Sequence, residues 1–236
     1  MAKAKRPWVV NPHGEIQKIE DNLWAVENFV PGAKFKRRMC IIKRSDGTLL
    51  FFHAIPLEDS ALAEVKAWGR PAYLVVGHDQ HMIDAEAFRE KLELRVFGPK
   101  ECGAKMRERA HITGILEDVP PDPTISIESV PGVKHGEPII TVKSGGGSRA
   151  SLLFSDVIQN NPKEALPLIF RLLGFGGDGP KVVPAFRLLF MKDRAAVKNH
   201  LLKMAETPNL ARLVPMHGTI VESGARDALK AAAERL

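Results

Sequence analysis

The chain has 236 residues, 44% hydrophobic and 26% charged, with a formal net charge of +6. Such a composition suits a soluble globular protein with one large mixed core or two small ones, and excludes a low-complexity or fibrous chain. No apolar run reaches the roughly 20 residues of a membrane-spanning helix, and Cys40 and Cys102 lack a Cys-x-x-Cys spacing, which fits a reduced, cytoplasmic setting.

Residues 1–13 read as a loose basic tail. Lys3, Lys5 and Arg6 precede no apolar core, so no secretory signal is expected. One domain is expected over 14–236. Residues 14–30 alternate well enough for one or two strands, and Pro31-Gly32 turns the chain. The run Lys34, Lys36, Arg37, Arg38 reads as a solvated strand edge. With a single tyrosine and scattered aromatics there is no base-stacking platform, so no specific nucleic-acid partner is expected. Residues 38–42 and 48–52 are apolar runs joined across Ser45-Asp46-Gly47, a strong hairpin signal. His53 follows directly. Asp59-Ser60 is the expected cap of a helix over 61–68, with Leu62, Val65 and Trp68 on one face and Gly69 beyond it.

The stretch 71–85 organises the rest. Tyr73-Leu74-Val75-Val76 reads as a strand buried on both faces. Gly77 ends it, and polar, metal-capable groups follow at once: His78, Asp79, Gln80, His81 and Asp84. A helix over 84–92 opens with acidic residues, which favour its positive dipole end. A buried strand thus delivers histidines into a strand-to-helix loop, where open α/β sheets carry their sites. The bland alternative is two surface histidines in a polar loop.

Further strands are expected over 94–97, 124–130, 137–142, 150–154 and 211–215. Further helices are expected over 100–110, 193–206 and 225–235, the last capped by Ser223. Ser155-Asp156 and Met216-His217-Gly218 each follow an apolar strand, as His53 and His78 do. No Gly-rich phosphate loop opens a helix and no Gly-x-Ser-x-Gly elbow occurs, which disfavours nucleotide and serine-hydrolase chemistry. Residues 157–190 are dense in Leu, Phe, Pro and Gly, and read as helical pieces inserted beside the site. Four destinations are open to this segment: core, an apolar lid, a homodimer contact, or a membrane surface. The few basic residues (Lys163, Arg171, Lys181, Arg187) place the membrane last.

Taken together, the pattern resembles the metallo-β-lactamase superfamily over residues 14–236. Asp21-Asn22-Leu23-Trp24 resembles its opening strand, Asp46-Gly47-Thr48-Leu49-Leu50 its hairpin, and Val75-Val76-Gly77-His78 the strand into its His-x-His-x-Asp-His signature. Leu153-Phe154-Ser155-Asp156 resembles the strand ending in its bridging Asp, and Val214-Pro215-Met216-His217-Gly218 its last metal His. The resemblance implies an α+β fold, the four-layer αβ/βα sandwich. It nominates His78, His81, His135, Asp156 and His217 as metal ligands, with Asp79, Asp84 and His53 as proton carriers. The signature is degenerate: from His78 it reads His78, Gln80, Met82, Ile83. A two-ion zinc site commonly needs about six protein ligands. The expectation is therefore at most one zinc or other divalent ion, and a hydrolase acting on an ester, lactone or phosphodiester of partly apolar character. The alternative is a metal-free sandwich that binds a small molecule or a protein.

Overall fold

The structure is a computed structural model describing residues 7–30, 35–77 and 82–236, the side chain of Lys105 excepted. The Asp46-Gly47 turn shows why the first sheet forms. Gly47 takes φ 77°, a left-handed value that suits glycine, and Asp46 accepts bonds from the Thr48 amide (2.9 Å) and hydroxyl (2.6 Å). β3 (Lys36–Lys43) then folds back antiparallel on β4 (Thr48–Phe52).

β1 (Gln17–Glu20) and β2 (Leu23–Phe29) precede that hairpin in the sheet. β5 (Arg70–Val75), β6 (Arg95–Gly98) and β7 (Gly114–Ile115) follow it. The seven strands lie in chain order, antiparallel from β1 to β4 and parallel from β4 to β7. Parallel neighbours need crossovers. These carry α1 (Asp59–Trp68), α2 (Ala85–Leu92) and α3 (Ala104–Ala110).

The second sheet has four strands: β8 (Ile125–Ser129), β9 (Pro138–Ser144), β10 (Arg149–Phe154) and β11 (Leu210–Pro215), in the order β11-β10-β9-β8. The crossover from β10 to its parallel partner β11 holds α4 (Leu168–Leu172), α5 (Pro184–Leu189) and α6 (Arg194–Ala205). α7 (Ala225–Glu234) closes the chain.

Strand alternation sorts the apolar residues into three layers. Leu23, Ala25, Cys40, Ile42, Leu50 and Phe52 meet Ile140, Val142, Leu153 and Val214 between the sheets. On the other face of the first sheet, Val26, Met39, Ile41 and Phe51 pack against Leu62, Val65, Phe88 and Met106 of α1 to α3. On the other face of the second sheet, Ile139, Leu152, Phe154 and Leu213 pack against Val197, Leu201 and Leu229 of α6 and α7. A fully buried Leu, Ile or Phe contributes about 1.5–3 kcal/mol. The result is an α+β four-layer sandwich, helices outside two facing sheets.

Several local expectations are corrected. Glu58, not Asp59 or Ser60, is the N-cap of α1, and Gly224, at φ 62°, precedes α7 where Ser223 was expected to cap. The first six residues lie outside the described part, but 7–13 are held. Trp8 stacks on Phe88 with ring centres 5.2 Å apart, and the Glu58 amide donates to His13 Nε2 at 3.0 Å. Arg37 and Arg38 are buried rather than solvated, because Asp84 and Glu27 neutralise them. Lys34 and the Pro31-Gly32 turn lie outside the described residues.

Candidate functional site

The ends of β4, β5, β10 and β11 meet at one edge of the sandwich. Gly77 marks the contact: a Cβ there would stand 2.6 Å from Ser155 Oγ and 3.2 Å from His53 Cε1. Only glycine lets the exit of β5 pass between the ends of β4 and β10. His53 leaves β4 at φ 66°, rare for a residue with a side chain. Its amide donates to the Val75 carbonyl at 3.0 Å, and its buried ring packs on Phe52 with centres 4.1 Å apart.

Asp156 and His217 come together as their sequence contexts suggest. His217 Nε2 lies 3.3 Å from Asp156 Oδ1. His217 Nδ1 is 2.6 Å from the Lys36 carbonyl. A carbonyl only accepts, so Nδ1 carries a proton, and in the neutral ring Nε2 holds the lone pair. Partners of this kind orient metal-binding and catalytic histidines.

Three residues that sequence reasoning passed over hold the pair. Arg38 donates to the carbonyls of Pro215 and Gly218 (2.8 Å to the latter), on either side of Met216-His217, and to Glu27. Glu137, wholly buried, accepts from the amides of Asp156 and Val157 (2.9 Å to the latter). Phe35 lies over the His217 ring at 4.4 Å and also meets Phe170 (5.7 Å) and Phe175 (6.2 Å). A lone acid opening the apolar strand 138–142 was the available sign of Glu137. Arg38 had none, since a Lys/Arg run normally reads as solvated surface.

The other nominated residues fall elsewhere. Asp84 Oδ2 is bound by Arg37 at 2.5 Å, with both side chains largely buried. Among the described residues no hydrogen bond joins His135 to Asp156 or His217. His135 stands on the turn before β9, where Gly136 packs so closely on Pro99 that a Cβ would lie 2.1 Å away. Met82 is buried in the apolar layer under α2, and Ile83 is half-buried. His78, Asp79, Gln80 and His81 lie outside the described residues. Among the described residues no group of three or more His, Cys, Asp or Glu is arranged to hold a metal. A cleft of about 530 Å³ at the opposite end, beside Lys43, Arg44 and Lys143, is not part of this edge. There Arg44 is committed to the carbonyls of Pro120 (2.8 Å) and Pro121 (3.1 Å).

Helices outside two facing sheets, with strand ends carrying an Asp and a His at one edge, define the class: a four-layer αββα sandwich. More particularly, this is the metallo-β-lactamase fold. The DIM-1 metallo-β-lactamase, solved after exposure to ceftazidime, superposes with a TM-score of 0.64 at 11% identity, covering 95% of this chain and 99% of that one. FIM-1 from Pseudomonas aeruginosa, in a mono-zinc form, gives 0.62 at 12%, covering 96% of each. A metallo-β-lactamase from Erythrobacter litoralis gives 0.58 at 12%, covering 97% and 96%. No protein-family model and no curated protein matches the chain. No helix among the described residues is long and apolar enough to cross a membrane.

Proposed function

We propose that the chain is a metallo-β-lactamase-like hydrolase whose site holds at most one divalent ion and acts on an ester, lactone or phosphodiester. The observation that carries this reading is the oriented Asp156–His217 pair. The Lys36 carbonyl sets the histidine tautomer, Arg38 holds the backbone around His217, and Glu137 holds the amide of Asp156. Support of this kind beneath two side chains suits groups that bind an ion or move a proton.

One carboxylate oxygen and one imidazole nitrogen fit a borderline divalent ion such as zinc. Asp156 and His217 would hold it, with His78 as the third donor nominated by its place after β5. Met82 and Ile83 stand where the signature has its last two donors, and Met82 is packed away in the core, so donors for a second ion are missing there. When bound, the ion supplies Lewis acidity, lowering the pKa of a water to about 7 and polarising a carbonyl or phosphoryl oxygen. Phe35, Phe170 and Phe175 keep water from one side of the pair and suit an apolar part of the substrate. Nε2 is the ring nitrogen with a free lone pair, so it is the atom that would face the ion, while Nδ1 stays on the Lys36 carbonyl. His53, Asp79 and Asp84 remain the nominated proton carriers, Asp84 only if Arg37 releases it.

The test is metal analysis of untagged protein together with turnover of an ester, lactone and phosphodiester panel. The expected result is about one ion per chain. Asp156→Ala and His217→Ala should each lose it and each slow turnover by roughly a hundredfold. Two ions per chain, or turnover that survives both substitutions, overturns the reading. A second reading is favoured by the same 3.3 Å contact: when Nε2 also carries a proton it donates to Asp156, and the two groups satisfy each other without an ion, as in a metal-free binding module. Ligand-dependent thermal stabilisation, with no metal and no turnover, is its signature. Sedimentation of the same protein measures whether it forms a homodimer.

A further inference from the structure

Among the described residues, the outer face of α4 and α5 carries most of the exposed large hydrophobic side chains. Leu168, Ile169, Leu172, Leu173, Leu188 and Leu189 are between 53% and 81% exposed. Their spacing on α4 is i, i+1, i+4, i+5, so the four share one side of that helix. The inner side is held by single aromatics, a half-buried Phe170 on α4 and a buried Phe186 on α5. Phe170 stacks on Phe35, and Phe186 of α5 lies buried under α6 and α7. The helices abut, since a Cβ on Gly174 would meet Pro184 Cγ at 2.9 Å. Six large aliphatic side chains projecting outward exceed the scattered exposure usual on a soluble surface.

The charges around this face are mainly cationic. Between residues 166 and 192 the charged side chains are Arg171, Lys181, Arg187, Lys192 and one acid, Asp178. That acid is paired with Lys163 at 3.0 Å. The next acid, Asp193, accepts from the Ala196 amide at the start of α6. Glu164 stands one turn before α4. Lys134 reaches in from the β8–β9 turn to the Leu189 carbonyl at 2.7 Å. An isologous contact with a second copy would bring two mainly cationic faces together. An anionic lipid surface accepts both the leucines and the cations, so the outward exposure of these side chains raises the membrane destination that the count of basic residues placed last.

We propose that the α4–α5 face docks on a lipid bilayer surface bearing anionic headgroups. Docked so, α4 lies flat on the bilayer with Phe170 behind it. The Phe35–His217 contact, with ring centres 4.4 Å apart, is then one helix thickness from the lipid. This surface does not depend on whether the site binds a metal.

The experiment is flotation of the full chain with vesicles of phosphatidylcholine alone and of phosphatidylcholine mixed with phosphatidylglycerol. Binding is expected to the mixed vesicles only, and to fall with added salt. Arg171→Gln and Arg187→Gln should each weaken it about fivefold. Leu168→Ser with Leu172→Ser should weaken it by at least about tenfold without lowering the melting temperature, since both side chains already face water. Leu188→Ser is a second, independent probe on the other helix. Failure of the native chain to float with either vesicle overturns the proposal. So does binding that none of the variants changes, or a dimer in sedimentation that the leucine variants dissociate.

Discussion

Arg38 reaches out of the first sheet to the carbonyl of Pro215 at the end of β11 and that of Gly218 in the loop beyond, and ends on Glu27. Removing it leaves Glu27 without its closest cation and the two carbonyls short of a donor. Arg38→Met should therefore cost about 3–5 kcal/mol, the usual result of breaking a buried pair from one side. Urea denaturation reads that directly. Gly218 is the other sensitive position in this loop. Its φ is 94°, and a Cβ would stand 2.0 Å from the Asn160 carbonyl oxygen. Gly218→Ala must displace backbone, so the melting temperature should fall and the His217 contacts should loosen together. Cys40 makes a contrasting case. Burial pushes its thiol up to about 12, outweighing the nearby Arg38 cation. A thiol reagent at neutral pH should leave Cys40 unmodified until the protein unfolds, and rapid labelling of the native chain would contradict its burial.

Among the helices, α6 has the clearest cap. Asp193 accepts from the Ala196 amide at 3.0 Å. Asp193→Ala should cost about 1 kcal/mol, and Asp193→Ser should recover most of it, measured by thermal melts of the three proteins. The segment 157–190 splits by depth. Val157, Ile158, Val182, Val183 and Phe186 join the core over the second sheet, whereas six leucines and isoleucines of α4 and α5 face outward. Hydrophobic count alone could not divide the segment, because its helices are short and interrupted by glycine and proline. The orientation of each helix came from its inner partners, Phe35 for α4 and the α6–α7 layer for α5.

The whole sandwich is tied at the end opposite the site. Glu20 of β1 accepts from Arg149 of β10 (2.7 and 2.5 Å) and from Arg212 of β11, so one carboxylate joins both sheets. The Arg149 hydrogen bonds, working against burial and aided by Arg212, pull Glu20 down from its ordinary 4.5 to about 2. A carboxylate whose folded pKa is depressed contributes stability that is fully present above the unfolded value and is lost as pH falls through the folded one. Stability should therefore decline between about pH 4.5 and 2 as Glu20 protonates. Glu20→Gln should be less stable than the native chain at neutral pH, with the difference shrinking across that window. A gap that stayed constant down to pH 2 would argue that the pair is not what couples the sheets to acid.

Much of the architecture was legible from the chain alone. The apolar runs 23–26, 39–42, 49–52 and 138–142 marked strands whose successive residues point to opposite faces, but which set lies between the sheets was decided by the packing of sheets and helices. Asp46-Gly47 determined the β3–β4 hairpin, and the apolar strands before His53, Gly77, Asp156 and His217 placed those residues at strand ends. Local pattern carries that much, since each signal lies within a few residues of what it specifies. It could not reveal that Arg37 and Arg38 turn inward, that Glu137 holds the Asp156 amide, or that Lys36 orients His217. Those contacts join residues far apart in the chain: 181 positions separate Lys36 from His217. Only the closure of one sheet over the other brings them within hydrogen-bond distance, and a charge is buried or exposed according to the partner that closure supplies.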